Sequence, residues 1–499
     1  MARVVVVGGG MAGLATAVRL RAARHDVVLL ERSDEVGGKA ARREVDGFTF
    51  DLGPTLVTLP AVYRDLFATT GPALEECLEL VPVDPVCRYT FADGTTLDMP
   101  NASRARIGAA LDDALGAGAG DQWLALLARG GEIWQGTRDT FLAAPLRGLR
   151  AVPSLARGPG ALRTVAPHRS LRGLGEQYLR EPHLRTLLDR YATYSGSDPR
   201  RAPAALAAVP YVEQAFGAWA VTGGIHRLAV ETASRARLLG ADLRTGAEVA
   251  EVLVEGGAVR GVRLTDGAEV PADVVVSALD AHVLYRDLLP GRRAGRELAT
   301  LRRQPPSSSG FLLLLGLRDT TPGLDRHNVL FGPDYDAEFD ALFGTGTHQG
   351  RPRPVADPTL YLHRGGDAPD GHEALTVLVN APPHRPDRPD LGIDWDAEGL
   401  ANAYADRVLA VLAERGTDVR DRVVTRAWQS PADLARRAGD VGGSIYGSAT
   451  HGALGPLRRP ANVGPVRGLY LVGGSSHPGG GLPMVGMSAE VVAGLVGRA

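Results

Sequence analysis

The sequence predicts an α/β protein: a Rossmann-like parallel-sheet domain discontinuous in sequence, an antiparallel-sheet second domain and a helical insertion. Three observations predict it. The chain opens on RVVVVGGGMAGLATAVRL (3–20), a strand, a glycine turn and a helix, and VVLLE (27–31) closes a βαβ unit. The texture returns at 222–280, which ends on the buried run DVVVSA (273–278). It appears a third time at LYLVGGSSHPGGGLPMVGMSAEVVAGLV (469–496), again strand, glycine loop and helix.

At 499 residues the chain calls for two or three domains. Residues 1–70, 222–285 and 440–499 are assigned to the parallel-sheet domain. Residues 71–110 and 286–439 form the antiparallel domain, and 111–221 a helical subdomain. Apolar residues make up 44% of the chain, enough for a globular core, and a net charge of −2 argues against nucleic acid as a partner. Cys77 and Cys87 stand outside any metal spacing, so no disulfide scaffold is expected and a cytoplasmic location is. No run reaches the roughly 18 apolar residues of a membrane-spanning helix.

In chain order, Gly8-x-Gly10-x-x-Gly13 joins the first strand to the first helix. Gly8 allows the tight turn, Gly10 lets backbone approach a pyrophosphate, and Gly13 lets strand and helix pack closely. The helix start adds free N–H groups and a positive dipole end. Glu31 follows Gly13 by 18 residues and suits the hydroxyls of an adenosine ribose, while repelling a 2′-phosphate. The next residues, ERSDEVGGKA, add Arg32, the pair Gly37–Gly38 and Lys39, with Arg42 close behind. This stretch resembles the ERxxxxGG(K/R) pattern of the two-dinucleotide-binding-domain flavoproteins, a resemblance that implies FAD rather than NAD.

LELVPVDPVCRYTFADGTTLDMP (78–100) reads as short alternating strands around an Asp93–Gly94 turn, and 104–220 as mostly helical. In 222–280 a helix precedes a strand, a Gly-Gly hairpin and a further strand. PPSSSG (305–310) is expected to be a linker, FLLLLGL (311–317) a buried strand, 382–391 an exposed loop and the region of 396–415 a helix. There is no HExxH, no GxSxG and no GxxxxGK(S/T), so no metal, hydrolase or NTPase chemistry is predicted.

With these stretches in view the chain resembles the bacterial-type phytoene desaturases, carotenoid desaturases within the amine-oxidase-like flavoproteins. The resemblance rests on the front glycine loop with VGGKA, DGFTFDLGPTLVTLP (46–60), GGIHRLA (223–229), DPTLYLH (357–363), APDGHEALTVLV (368–379) and the C-terminal loop. It implies that Gly8, Gly10, Gly13, Glu31, Arg32, Gly38, Lys39, Gly53, Pro54 and Thr55 surround FAD, with Val249 at the adenine. Strand 469–472 is expected to rejoin the first sheet, so that Gly473 and Gly474 meet the pyrophosphate and ribityl chain. The helix starting at Pro483, Met484 and Val485 then faces the flavin. Two departures from the family pattern stand out: Gly479–Gly480–Gly481 in place of Gly-Ala-Gly, and Met484 after Pro483. The triple glycine is similar to branches that act on already desaturated or hydroxylated carotenoids.

The implied chemistry is hydride transfer from an allylic carbon of a long polyene to flavin N5, with oxygen or a membrane quinone taking the electrons onward. No catalytic base is assigned; His477 and His226 are weighed and both are expected to serve structure more than catalysis. Residues 141–174 carry six arginines and no acid among apolar residues, a composition suited either to an anionic membrane surface or to a solvated helical subdomain. Two alternatives stay open: an amine-oxidase-like enzyme with a smaller substrate, and a polyprenoid isomerase or binding protein with non-redox FAD.

Overall fold

A computed structural model describes residues 1–146, 165–346 and 350–499. Its central parallel sheet has the order Asp242–Arg244, Asp26–Leu30, Arg3–Val7, Val274–Ser277, Leu469–Leu471. Strands from near both chain ends thus lie in one sheet, each flanking the strand Val274–Ser277. Side chains alternate across a strand, and the first strand uses both faces. Val4 and Val6 pack with Leu14, Leu228 and Val492 of the helices Met11–Ala22, His226–Leu238 and Leu482–Val496. Val5 and Val7 pack with Val252, Val262 and Leu284 on the opposite side, where a small antiparallel sheet (Val249–Glu255, Ala258–Leu264, Glu269–Pro271) covers them.

The second large sheet has seven strands in the order Val423–Gln429, Ser309–Arg318, His372–Ala381, Leu360–Arg364, His327–Leu330, Cys87–Thr90, Thr96–Met99. Its neighbours are antiparallel except His327–Leu330 with Cys87–Thr90, which run parallel. That exception follows from connectivity: the hairpin of 87–99 joins an edge completed more than two hundred residues later. Phe311–Leu317 is buried on both faces, which explains its unbroken apolar run. Odd-numbered side chains meet Tyr404, Val408 and Leu412 of the helix Leu400–Glu414, and Leu312 and Leu314 meet Phe48 and Phe50.

Residues 104–216 are mostly helical among the described residues, in Arg104–Leu115, Ala119–Thr137, Leu171–Tyr178, Pro182–Arg190 and Ala208–Phe216. Small residues let two of these helices touch: a Cβ on Gly120 would lie 2.4 Å from the Gly108 carbonyl. The expected linker at 305–310 is instead packed structure. Ser307 and Ser309 are fully buried, Ser309 already begins the strand, and its hydroxyl donates to Gly443 O at 2.7 Å. The expected loop 382–391 is exposed only in part, because Pro382 and Pro383 are buried. Of the arginine-rich stretch 141–174, residues 147–164 lie outside the described residues. Among the described residues no helix is long and apolar enough to cross a membrane.

Candidate functional site

The front turn is built as its glycines require. Gly8 has φ +105°, and its N–H donates to Leu30 O at 2.8 Å. Gly10 is the N-cap of the helix Met11–Ala22, with no side chain closing the helix end. A Cβ on Gly13 would lie 2.0 Å from the Gly8 carbonyl, so strand and helix touch through a missing side chain. Gly38, at φ +54°, brings the second pair against the first: its Cβ would stand 3.1 Å from Gly10 Cα, and Gly37 N–H donates to Gly9 O at 2.9 Å. Two loops 27 residues apart thereby form one backbone cradle without side chains.

Glu31 is buried, accepting from Gly9 N–H at 2.6 Å and Ser33 N–H at 2.8 Å. A carboxylate has about four acceptor positions, so capacity remains for two ribose hydroxyls. Arg32 turns away to donate to the carbonyls of Arg436 and Arg437, at the end of the helix Pro431–Ala438. It also lines, with Val249, a cavity of about 770 Å³ that includes Thr265, Arg286 and Asp440. Val249, expected at the adenine, thus lines this cavity, and Gly8, Gly10 and Gly13 are not part of its lining.

Lys39 crosses from the glycine pair to a segment 401 residues away. Its ammonium donates to Asp440 Oδ1 at 2.9 Å and to the carbonyls of Ile445 (2.7 Å) and Ser444 (3.3 Å). Burial pushes the Asp440 carboxyl up to about 6 against the pull of Lys39. Nearby, burial opposes ionisation of Asp280, but its hydrogen bond to His282 and the charges of His282 and Lys39 hold it below the usual carboxylate range. Asp280 Oδ2, Asp440 Oδ2, Ser277 Oγ and Ser444 Oγ are buried atoms without a partner among the described residues. Unpaired buried polar atoms are rare. A polyhydroxylated ligand lying along a glycine cradle accounts for them, so these residues fit FAD.

The C-terminal loop approaches the cradle from the other side of the sheet's middle strand. Gly473 (φ +112°) donates its N–H to Ser488 Oγ at 3.3 Å, and Gly474 lies 3.4 Å, by its would-be Cβ, from Gly480 Cα. Pro483 stands in the first turn of the helix Leu482–Val496, followed by Met484 and Val485, and Gly481 at φ +103° forms its N-cap. Arg459, which sequence reasoning missed, ties this loop down by donating to Gly474 O (2.9 Å) and Tyr446 O (3.0 Å). Burial lowers its guanidinium to about 10.

Neither weighed histidine is placed as a base. His477 is fully buried and its Nε2–H donates to the carbonyls of Phe141 (2.8 Å) and Ala144 (3.1 Å), beyond the helix Ala119–Thr137. Burial pushes its imidazole down to about 4. His226 begins its helix and donates from Nδ1 to Ala40 O at 3.1 Å.

Gly53, Pro54 and Thr55 bridge the cradle to the seven-stranded sheet. A Cβ on Gly53 would lie 1.9 Å from Lys39 O, while the Thr55 hydroxyl is hydrogen-bonded to Tyr361 OH at 2.6 Å. Tyr361 continues to His327 Nδ1 at 2.7 Å. Beside it lies Arg190, buried, with its guanidinium 5.6, 5.2 and 5.9 Å from the rings of Tyr89, Tyr194 and Tyr361. No sequence signal marked Arg190 or Asp440, because nothing local distinguishes them from ordinary residues of a helix and a loop; Tyr361 lies in the stretch DPTLYLH that carries the resemblance, where no role was assigned to it.

Comparison with known proteins adds the lineage. Residues 11–496 match the family described as flavin containing amine oxidoreductase. The 4,4'-diapolycopene oxygenase of Methylomonas sp is 32% identical over 504 residues, spanning 98% of this chain and 97% of that protein. The hydroxyneurosporene desaturase of Cereibacter sphaeroides is 34% identical (98% and 96% covered), and the zeta-carotene-forming phytoene desaturase of Myxococcus xanthus 33% (98% and 93%). Among solved structures, an oxidoreductase from Methanosarcina mazei superposes with a TM-score of 0.63 at 15% identity, covering 98% of this chain and 99% of its own. Putrescine oxidase gives 0.61 at 16%, covering 99% and 98%. These two share the fold.

Proposed function

Because the chain belongs to the flavin containing amine oxidoreductase family and is an FAD-dependent oxidoreductase, we propose that it desaturates a carotenoid or related long polyene. The observation that carries this reading is the end-to-end similarity, at 32–34% identity, to three proteins named for acting on carotenoids. The chain's own residues support it. A protonated amine placed beside the buried Arg190 guanidinium would be repelled, since like charges in a low-dielectric site repel strongly. That disfavours the amine-oxidase alternative.

Bound FAD supplies the two-electron acceptor for hydride leaving an allylic carbon, while the neighbouring carbon gives up a proton and the C=C bond forms. Gly8, Gly10, Gly13 and Gly38 offer backbone to the pyrophosphate, and Glu31 accepts from the adenosine ribose with Val249 against the adenine. The unpartnered oxygens of Asp280, Ser277 and Asp440 would be available to hydroxyls of the cofactor, and Lys39 would supply the neighbouring cation. Gly473 and Gly474 meet the cofactor from the second side. The helix that begins at Pro483, Met484 and Val485 would offer N–H groups and its positive end to the ring, which would favour a negative charge there. Pro54 and Thr55 would lie against one face of the ring. The polyene reaches the site from a membrane surface, and oxygen or a quinone reoxidises the cofactor.

Expression in a host that makes phytoene and related acyclic polyenes tests the reading. A purified chain carrying flavin, together with a pigment pool whose absorption moves to longer wavelength, is expected. A flavin-loaded chain that leaves every acyclic polyene unchanged would sink it.

A further inference from the structure

Thr55, in the segment assigned to one face of the flavin, begins a line of hydrogen bonds that runs into the seven-stranded sheet. Its hydroxyl meets Tyr361 OH at 2.6 Å, and Tyr361 OH meets His327 Nδ1 at 2.7 Å. Tyr361 stands on the strand Leu360–Arg364 and His327 on its antiparallel neighbour His327–Leu330. His363 is the cross-strand partner of His327, and the two rings stack with centroids 4.8 Å apart. Thr55 and Tyr361 are half-buried, whereas the two imidazoles are sealed, at 0% and 1% exposure.

The far end of this line is unfinished. His327 Nε2 and both ring nitrogens of His363 are buried without a partner among the described residues. Buried polar atoms are ordinarily paired, and a cross-strand contact that served cohesion alone would be better made by apolar side chains. Beyond the imidazoles the surface is close. A Cβ on Gly365 would lie 2.5 Å from His363 Nε2 and 3.4 Å from a terminal nitrogen of Arg326; Gly365 is half-buried and Arg326 exposed. Burial, with His363, Arg326 and Arg190 adding to it, pushes the His327 imidazole well below its ordinary value. Burial and Arg326 push His363 down to about 3. Both rings are therefore neutral at pH 7, and neither retains a proton that it receives.

Resting on the polyene reading above, we propose that Thr55, Tyr361 and His327 form a relay that carries the proton lost by the substrate out of the closed site. Thr55 is the residue that meets the substrate; Tyr361 and His327 are positioning residues that orient its hydroxyl and draw its proton onward. Once hydride has left the allylic carbon, the substrate is a cation spread over the polyene, and the adjacent C–H is acidic enough for a weak base to remove. The electron pair of that C–H becomes the new π bond. Its proton goes to Thr55 Oγ1 as the Thr55 proton passes to Tyr361 and the Tyr361 proton to His327 Nδ1. The imidazole then releases the proton on Nε2 toward His363 and the edge at Arg326. Rotation of the two hydroxyls and return of the imidazole to its Nε2–H form reset the line. Hydroxyls and a neutral imidazole suit this task because each can accept and donate. A carboxylate in their place would bury a standing charge against an apolar substrate.

Two measurements on the full-length, FAD-loaded enzyme test the relay. The first is NMR of the protein with isotope-labelled histidine, in which the His327 ring is identified by its loss in His327→Asn. A neutral ring protonated on Nε2 at pH 7 is expected; a ring protonated on Nδ1 could take no proton from Tyr361 and overturns the proposal. The second is the anaerobic rate at which an acyclic polyene bleaches the flavin. Tyr361→Phe removes the middle of the line and is expected to slow bleaching about a hundredfold, with flavin content and the half-saturating polyene concentration unchanged. His327→Asn separates a relay from a structural hydrogen bond, because its amide oxygen still accepts from Tyr361 but cannot take up the proton. It is expected to be as slow as Tyr361→Phe. A loss of less than about fivefold in either variant overturns the proposal. If a variant does not hold flavin, the wild-type ring tautomer decides. Wild-type flavin that no acyclic polyene bleaches overturns the polyene reading itself.

Discussion

At the scale of single residues, the sharpest statements concern side chains that are absent or neutral. Gly13 lacks a Cβ because one would sit 2.0 Å from the Gly8 carbonyl. Gly13→Ala must push the first helix off the first strand and is expected to yield folded protein with no flavin absorbance after purification. Gly481→Ala meets nothing within 4 Å but must hold φ +103°. It is expected to cost about 1–2 kcal/mol in stability and to keep part of its flavin. His477 makes a pH prediction. Its folded-state imidazole is pushed down to about 4 from an ordinary value of 6.5. The unfolded chain therefore binds the extra proton between those values, and the stability His477 contributes is complete above pH 6.5 and lost as pH falls toward 4. The stability gap between wild type and His477→Gln is expected to shrink by about 3 kcal/mol across that window. Urea unfolding at both ends of it checks this, and a gap constant with pH would show that the imidazole titrates normally.

At the scale of elements, the question is what joins the glycine pair of 37–38 to a segment four hundred residues on. Lys39 and Asp440 are that joint, with Asp440 nearly sealed (8% exposed side chain) and Lys39 at 32%. Lys39→Met leaves the carboxylate without its cation and is expected to cost about 2 kcal/mol, less than for a sealed pair because Lys39 is partly solvated. Since Asp440 is raised to about 6, it is neutral in acid, and the penalty of Lys39→Met is expected to grow as pH rises through that value. Denaturation of Lys39→Met, Asp440→Asn and the double variant reads the coupling; additive losses would show that the two residues act independently. The same joint shows what a sequence discloses. The glycine turns, the strand Val274–Ser277 and the C-terminal loop were legible because each is a pattern fixed within about thirty residues by backbone sterics. Lys39 was legible as a cation, but its partner was not, since pairing over 401 positions depends on the finished fold. The packed serines of 307–309 misled for a related reason: small polar residues suit a linker and a tight buried crossing equally well. The parallel pairing of His327–Leu330 with Cys87–Thr90 carries no local mark at all.

At the scale of the whole molecule, the parallel sheet is completed only when Arg3–Val7, Val274–Ser277 and Leu469–Leu471 come together from the beginning, the middle and the end of the chain. A cofactor held by loops at the edges of those strands binds the assembled state and not the unfolded one, so it stabilises all three contributions at once. At one hundred times its dissociation constant, FAD is expected to add about 2.7 kcal/mol to global stability. The stronger consequence is spatial. Hydrogen exchange of flavin-free and flavin-loaded protein is expected to show new protection at Gly8–Gly13, at Gly37–Lys39 and at Gly473–Gly481 together, with one dependence on FAD concentration. The buried Arg459, which pins Gly474 from behind, predicts that protection of the C-terminal loop is lost first in Arg459→Met, while the front turn keeps most of its own. Protection confined to the front turn would mean that the C-terminal loop is only a strand-to-helix connection. Equal protection at both ends means that the molecule closes its sheet and its cofactor site in a single step.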